Sequence, residues 1–355
     1  MQITAVENRA LAAFLQVEET LHADDPTRVP PLRAVLEAEL GGGSAFAAYG
    51  RQQLYLGEHA GAVGRVAALV NPRVLDADGV PVGQLGYFAC ADDVGLAGAL
   101  FDAGAAWLRA QGCRTLYAPM NGGAHRLHRL LVRGFERTPF LFEPRNPAYY
   151  PRLFEAWGMT VVHRWFSYEL TRARALELGE RFRRVLRSRP IHGHIDVIDP
   201  RDIPAALARL HPLLDGFWTG HIGYGGLDLA EFAEVFAGAL AIMNRRNLGF
   251  YVEGGRDLGC AFMYPDHVAE ARALRGDASG WARWSASPAR LVMHTLALLP
   301  EARRSSAALA LIEHGLALLA QDGYEELLVG LVVEGLLGTQ LGAPTREYAL
   351  YGRAL

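Results

Sequence analysis

Lysine is absent: of the 355 residues, all 35 basic ones are arginine. That excludes a lysine Schiff base and a phosphate-loop NTPase of the GKS or GKT type, since both depend on an ε-amine. A GC-rich coding composition accounts for the bias. Cysteine is scarce. Cys90, Cys113 and Cys260 are scattered and form no CxxC, so neither a disulfide framework nor a thiolate zinc site is supported, and a reducing cytosol fits best. Excess charge is lacking as well. With 35 arginines against 38 acidic residues the formal charge is −3, and no basic run interleaved with aromatics points to nucleic acid. Long hydrophobic runs are missing. The most apolar helical stretch, 307–320, contains Glu313 and His314 and is too short and polar to span a bilayer, and MQITAVENRALAAF is no secretory signal. There is no GxSxG elbow and no GxGxxG.

What is present is the composition of a soluble globular chain, 51% hydrophobic and 21% charged, with length for about two domains. A first strand at Gln2–Val6 leads through HADDPTRVPPLRAVLEAEL into a helix after Pro31. SAFAAYGR and QQLYLGEHAGAVGRVAALV read as strands, as does VGQLGYFAC. DDVGLAGALFDAGAAWLRAQG has helical spacing, acidic residues at its start and a glycine stop. CRTLYAPM reads as a strand, GAHRLHRLLVRG as a helix, TPFLFEP as a strand, NPAYYPRLFEAWG as a short helix and MTVVHRWFSYEL as a long strand. The charged helix RARALELGERFRRVLRSRP, 172–190, connects two halves, 1–171 and 191–355. The second half repeats the order, with a hairpin turning at Gly254-Gly255, a strand RLVMHTLALLP, a helix SSAALALIEHGLALLAQDG, and strands YEELLVGLVV and REYALYGRAL. This duplication of alternating strands and helices implies an α/β (α+β) fold in which helices cover a mixed sheet.

The best anion site is in the second half. A strand ends at Leu296, Leu298 and Leu299. A loop with Arg303, Arg304, Ser305 and Ser306 follows, and a long helix opens at Ala307 and Ala308. Small side chains let backbone N–H groups approach an anion, the helix start adds partial positive charge, and the arginines add direct contacts. The first half has no such loop. Asp92 and Asp93 stand at the start of its matching helix, where carboxylates would repel an anion. His192-x-His194 and His125-x-x-His128 have ligand-like spacing, but no Cys or carboxylate completes either set, so no metal is assigned.

Arg303-x-x-Ser306-x-Ala308 resembles the pyrophosphate motif of the GNAT acyltransferases, Q/R-x-x-G-x-G/A, with serine in place of the first glycine. Further motifs resemble the tandem-GNAT proteins that include bacterial ceramide synthase. They are DDPTRVPPL (24–32), GRVAAL (64–69), GYFACADD (86–93), APMN (118–121), LLVRGFERTPF (130–140) and NPAYYPRLFEAWGM (146–159). The second half adds Trp218-x-x-His221-Ile222-Gly223-Tyr224, Glu231-Phe232, Tyr264-Pro265-Asp266 and Arg346-Glu347-Tyr348-x-x-Tyr351. The resemblance implies two tandem GNAT-like domains, each a mostly antiparallel mixed sheet flanked by helices. It implies N-acylation by the second domain, with acyl-CoA or the acyl-phosphopantetheine of a carrier protein as co-substrate, no metal, and a primary amine as acceptor. A fatty acyl group and a sphingoid-like lipid amine follow from the nearest signatures. An amino acid or peptide amine is the related option, and peripheral membrane contact is compatible with either. The rival reading is a non-catalytic coenzyme A-binding module.

Acyl transfer from a thioester to an amine needs a neutral amine, aligned reactants and a stabilised oxyanion. His294, in the strand before the cofactor loop, is the candidate base, competing with a core histidine. Glu334 would orient the amine or end a strand in solvent. Tyr348 and Tyr351 are candidate acids for the thiolate. Three apart in a strand, they point to opposite faces, so at most one reaches it. Trp218, His221 and Tyr224 would wall the acceptor or pack a lid. Asn121 reads first as a helix cap and second as a substrate contact. In such an enzyme the missing lysines would also remove amines open to stray self-acylation.

Overall fold

The computed structural model describes residues 1–6, 10–188, 191–244, 246–277, 284, 287–335 and 341–355. The first half contains β1 (Gln2–Val6), α1 (Leu11–Leu21), α2 (Arg33–Gly41), β2 (Arg51–His59), β3 (Ala62–Leu75) and β4 (Pro81–Cys90). It continues with α3 (Val94–Ala110), β5 (Thr115–Ala118), β6 (Leu130–Arg133), α4 (Tyr150–Ala156) and β7 (Thr160–Thr171). Helix α5 (Arg172–Arg187) leads into β8 (His194–Ile198), α6 (Ile203–Trp218), α7 (Leu229–Ala241), β9 (Leu248–Glu253) and β10 (Arg256–Pro265). The chain ends with α8 (Val268–Ala273), β11 (Arg290–Leu298), α9 (Ala307–Gln321), β12 (Glu326–Val333) and β13 (Arg346–Ala354).

Among the described residues the strands form one sheet, ordered β1-β2-β3-β4-β5-β13-β7-β12-β11-β10-β9-β8, with β6 also paired to β13. Two strands cross between the halves. The closing strand β13 pairs with β5, β6 and β7, and β7 of the first half pairs with β12 of the second. The pairs β4–β5 and β11–β12 are parallel, and most others are antiparallel.

Helices cover both faces, so the molecule has three layers. Alternation along the strands sorts the cores. Cys260, Phe262 and Tyr264 of β10 pack under α6 and α7, while Ala261 and Met263 face α9 and α5. In the first half, α3 and α4 cover one face and α1 and α2 the other. Asp93, Asp202 and Asp228 cap α3, α6 and α7 by accepting the N–H of Leu96, Ala205 and Glu231.

Three expectations fail locally. GAHRLHRLLVRG is not a helix but turns followed by β6, because Leu130 and Leu131 pair with Ala349 and Tyr348 of β13. SAFAAYGR is not a strand. Residues Ala45–Ala48 form a 3-10 turn that buries Phe46 beneath Gly50, where any Cβ would strike the ring. TPFLFEP is also no strand. Its backbone groups are satisfied by side chains of the second half instead of a ladder. Arg346 Nη2 donates to the Thr138 carbonyl at 2.7 Å and Arg290 Nη2 to the Pro139 carbonyl at 2.9 Å. Leu141 N–H donates to Asp266 Oδ1 at 2.8 Å, and Tyr264 Oη donates to the Leu141 carbonyl at 2.7 Å.

Candidate active site

The parallel pairing of β11 and β12 stops at Met293 opposite Val329. Beyond it both strands are irregular. On β11 the register with β10 jumps from Met263–Met293 to Phe262–Thr295, so His294 is an extra, bulged residue. One extra residue reverses the facing of everything after it. Val292 packs under α6, whereas Leu296 and Leu298 pack toward α9. On β12, Leu331 has φ of +58°, and its N–H donates to Ser167 Oγ at 3.2 Å. The two strands thus part at the level of His294.

A cavity of about 1050 Å³ occupies this parting and the space between the halves. Of the residues singled out from the sequence, the structure gathers His294, Leu296, Trp218, His221, Tyr224 and Asn121 on its wall. The His294 ring lies 6.1 Å from that of Phe262 and 6.0 Å from that of Tyr264. Its Nδ1 is 3.1 Å from Thr295 Oγ1, which leaves Nε2 for a ligand. Burial, and then the charge of Arg129, push the His294 imidazole down to about 4, so it is neutral at pH 7. Trp218 contacts Tyr224 and stacks on Phe236, with ring centroids 5.6 and 5.7 Å away. Tyr224 Oη donates to Asp215 Oδ1 at 2.6 Å. His221 sits beside Phe217, and its Nδ1 is buried without a hydrogen-bond partner.

Asn121 caps no helix, because none follows it. Its Oδ1 instead accepts the N–H of Tyr87 at 2.8 Å, and Tyr87 has φ of +48° at the bulge in β4. That bulge is the first-half counterpart of the His294 bulge, and there it is plugged. Met120 N–H donates to the Leu85 carbonyl and Gly122 N–H to Gln84 Oε1, so β4 stays tied to the segment after β5. Asp93 caps α3 and lies 2.7 Å from His59, so the helix start carries its own carboxylate. The first half thus has neither an open bulge nor a free helix end.

In the second half the bulge opens on the cavity, and among the described residues no carboxylate caps the start of α9. The segment from Pro300 to Ser306 is a 3-10 turn and bend leading into α9. Ser305 Oγ donates to the Ala302 carbonyl at 2.8 Å and accepts the Ala307 N–H at 3.1 Å. Helical i to i−4 bonding begins at Ala310 N–H to the Ser306 carbonyl, which leaves the Ala308 and Leu309 amides outside the helical ladder. Arg303 and Arg304 are exposed beside them. This loop lies outside the cavity wall, as do Leu298 and Leu299, but α9 links the two, since Ile312 and Leu316 line the cavity. At about 1.5 Å per residue, Ile312 is roughly 8 Å along the helix from its start.

Glu334, Tyr348 and Tyr351 are not on the cavity wall. Glu334 is exposed at the end of β12. Tyr348 is buried, and its Oη donates to Glu143 Oε1 at 2.7 Å. Tyr351 faces the opposite side of β13, in the first-half core under α3 and α4, where its Oη donates to Glu155 Oε1 at 2.9 Å. The tyrosines do point to opposite faces, but neither hydroxyl opens on His294.

Residues not singled out for catalysis complete the wall: His128, Arg129, His163 and Trp165. His125 and His128 have ligand-like spacing, but among the described residues no cluster of three or more ligand-type side chains could hold a metal ion. His128 and Arg129 directly precede the LLVRGF motif, whereas His163 and Trp165 lie outside every motif quoted.

No protein-family model matches the sequence. The architecture is that of the GCN5-related N-acetyltransferase (GNAT) fold, in tandem. A tandem GNAT protein from the clavulanic acid biosynthesis pathway superposes with a TM-score of 0.51 at 13% identity, over 99% of this chain and 98% of that one. The GCN5-related glucosamine N-acetyltransferase region of a fungal multi-domain GH3 beta-N-acetylglucosaminidase gives a TM-score of 0.54 at 15% identity. It covers 99% of this chain and 38% of that protein. In sequence, the chain is 28% identical over 156 residues to protein YghO of Escherichia coli strain K12, which is 44% of this chain and 40% of YghO. The chain therefore spans well under half of YghO and of the fungal enzyme. No described helix is long and apolar enough to cross a membrane.

Proposed function

We propose that the protein is an N-acyltransferase that moves an acyl group from coenzyme A, or from the pantetheine arm of a carrier protein, to a primary amine. The carrying observation is the parting of β11 from β12 at the bulged His294, with a cavity on one side and the start of α9 with Arg303 and Arg304 on the other. Phosphates at the α9 start would direct the thioester into the parting. The amine attacks the thioester carbon, a C–N bond forms, the C–S bond breaks, and the amine proton passes by way of His294 Nε2 and water to the departing thiolate. A largely apolar cavity of about 1050 Å³ exceeds what an acetyl group needs and favours a longer, fatty acyl chain. Incubation with hexadecanoyl-CoA and a panel of amines, read by thiol release and mass spectrometry, tests the proposal. Thioester left intact with every amine overturns it.

The phosphate assignment has its own test. Arg303→Ala and Arg304→Ala each raise KM for the donor about 5- to 10-fold with kcat nearly unchanged, and the effect shrinks at high salt because both side chains are exposed. An unchanged KM in the double variant removes the loop from the site.

A further inference from the structure

Five arginines line the cavity: Arg28, Arg65, Arg126, Arg129 and Arg145. Four are matched. Arg28 pairs with Glu18 at 2.8 Å and Arg126 with Glu39 at 3.2 Å. Arg65 donates to the Phe14 and Leu15 carbonyls, and Arg145 to those of Phe135 and Arg137. Arg129 differs. Its Nε is buried without a hydrogen-bond partner, as are those of Arg65 and Arg126, but those two place their guanidinium groups on the Phe14 and Leu15 carbonyls and on Glu39, whereas among the described residues neither a carboxylate nor a carbonyl reaches Arg129. Its guanidinium carbon lies 4.6 Å from the centroid of the Trp165 ring, which also carries His163 at 4.5 Å and His128 at 5.2 Å. Burial lowers the guanidinium to about 9, a measure of how poorly the site supports the charge. A partly buried cation with no anionic partner is costly, and a ligand anion removes that cost.

We propose that Arg129 recognises an anionic group, a carboxylate or a phosphate, carried by the amine acceptor. The proposal rests on the acyl-transfer reading and narrows its acceptor. The donor does not supply this anion, because its thioester is neutral and its phosphates belong at Arg303 and Arg304. An oxyanion exists only in passing and leaves the resting complex uncompensated. The planar fork of arginine suits both carboxylate and phosphate. The same positive charge disfavours an ammonium nearby, so the amine enters in the neutral form that attack requires.

The test compares hexadecanoyl-CoA turnover with an α-amino acid, with phosphoethanolamine and with an uncharged alkylamine, in the wild type, Arg129→Met and Arg129→Lys. The expected wild type prefers one anionic amine over the alkylamine by about 100-fold in kcat/KM. In Arg129→Met that preference falls toward one through KM for the acceptor, with KM for the donor unchanged, and Arg129→Lys restores part of it. Preference for the amino acid identifies a carboxylate, and preference for phosphoethanolamine a phosphate. Arg129→Met should fold and melt at or above the wild-type temperature, since an unpaired buried charge is gone. Turnover of the alkylamine at or above the rate of both anionic amines overturns this inference and leaves acyl transfer standing. No turnover with any amine overturns acyl transfer. Calorimetry of the anionic amines against wild type and Arg129→Met then decides the anion site alone: heat lost in the variant supports it, and no heat in either overturns it.

Discussion

Replacing His294 by alanine lowers kcat by about 10²- to 10³-fold while coenzyme A still binds, the usual reach of a lost proton-transfer group. The bulge turns this one side chain out of the ladder at the point where β11 and β12 separate, and the Thr295 contact leaves one ring nitrogen free. His294→Gln keeps a polar group of similar size and should recover little, because an amide does not take up the proton. The pH dependence follows from the lowered imidazole. With its pKa near 4, His294 is neutral and able to accept a proton throughout pH 5–9. The rate therefore rises with pH as the acceptor ammonium deprotonates, without the inflection near 6.5 that an ordinary histidine would give. Stopped-flow or steady-state rates across that range check both points. A kcat within threefold of wild type in His294→Ala removes the residue from the chemistry.

Arg346→Met destabilises the protein by about 3–5 kcal/mol, measured as a shift in the urea midpoint. Arg346 is fully buried; its Nε lies 2.9 Å from Glu143 Oε1 without hydrogen-bond alignment, and its Nη1 lies 2.8 Å from Glu169 Oε1. Glu169 also meets Arg290, which pairs with Asp266 at 2.6 Å. These charges join β13, β7, β11 and the 138–146 segment, and hence the two halves. Without Arg346 the buried Glu143 carboxylate has lost its cation. Burial already raises the Glu143 pKa, and losing Arg346 raises it further. A carboxyl raised above its unfolded value takes up a proton in the folded state first as pH falls. The loss in Arg346→Met is thus largest at pH 7.5 and smaller at pH 5, and adding Glu143→Gln recovers part of it. A midpoint unmoved at both pH values would show that the network contributes nothing.

Much of the architecture was legible along the chain. Glycine stops, aspartate caps and alternating apolar residues mark α3, α9 and the β9–β10 hairpin, and the repeated order of elements pointed to tandem halves. The small and basic residues at 303–308 mark the turn that opens α9. Local rules failed where a distant partner decides. Residues 138–144 look like a strand by composition. They lie as an irregular segment because Arg346, Arg290, Asp266 and Tyr264 satisfy their backbone from the other half. Residues 123–134 have helical spacing, yet Leu130 and Leu131 gain more from β13.

The sequence by itself determined most of the elements and their duplication, because caps and periodicity act within a few residues. Only the tertiary structure decided which strands exchange, where the ladder bulges and which charges remain unmatched. Those outcomes depend on partners carried by other elements, beyond the reach of local sequence rules. His294 is singled out by a register that β10 and β12 impose. Arg129 is one of 35 arginines in the sequence, and it stands apart only when the partners of the others are in place.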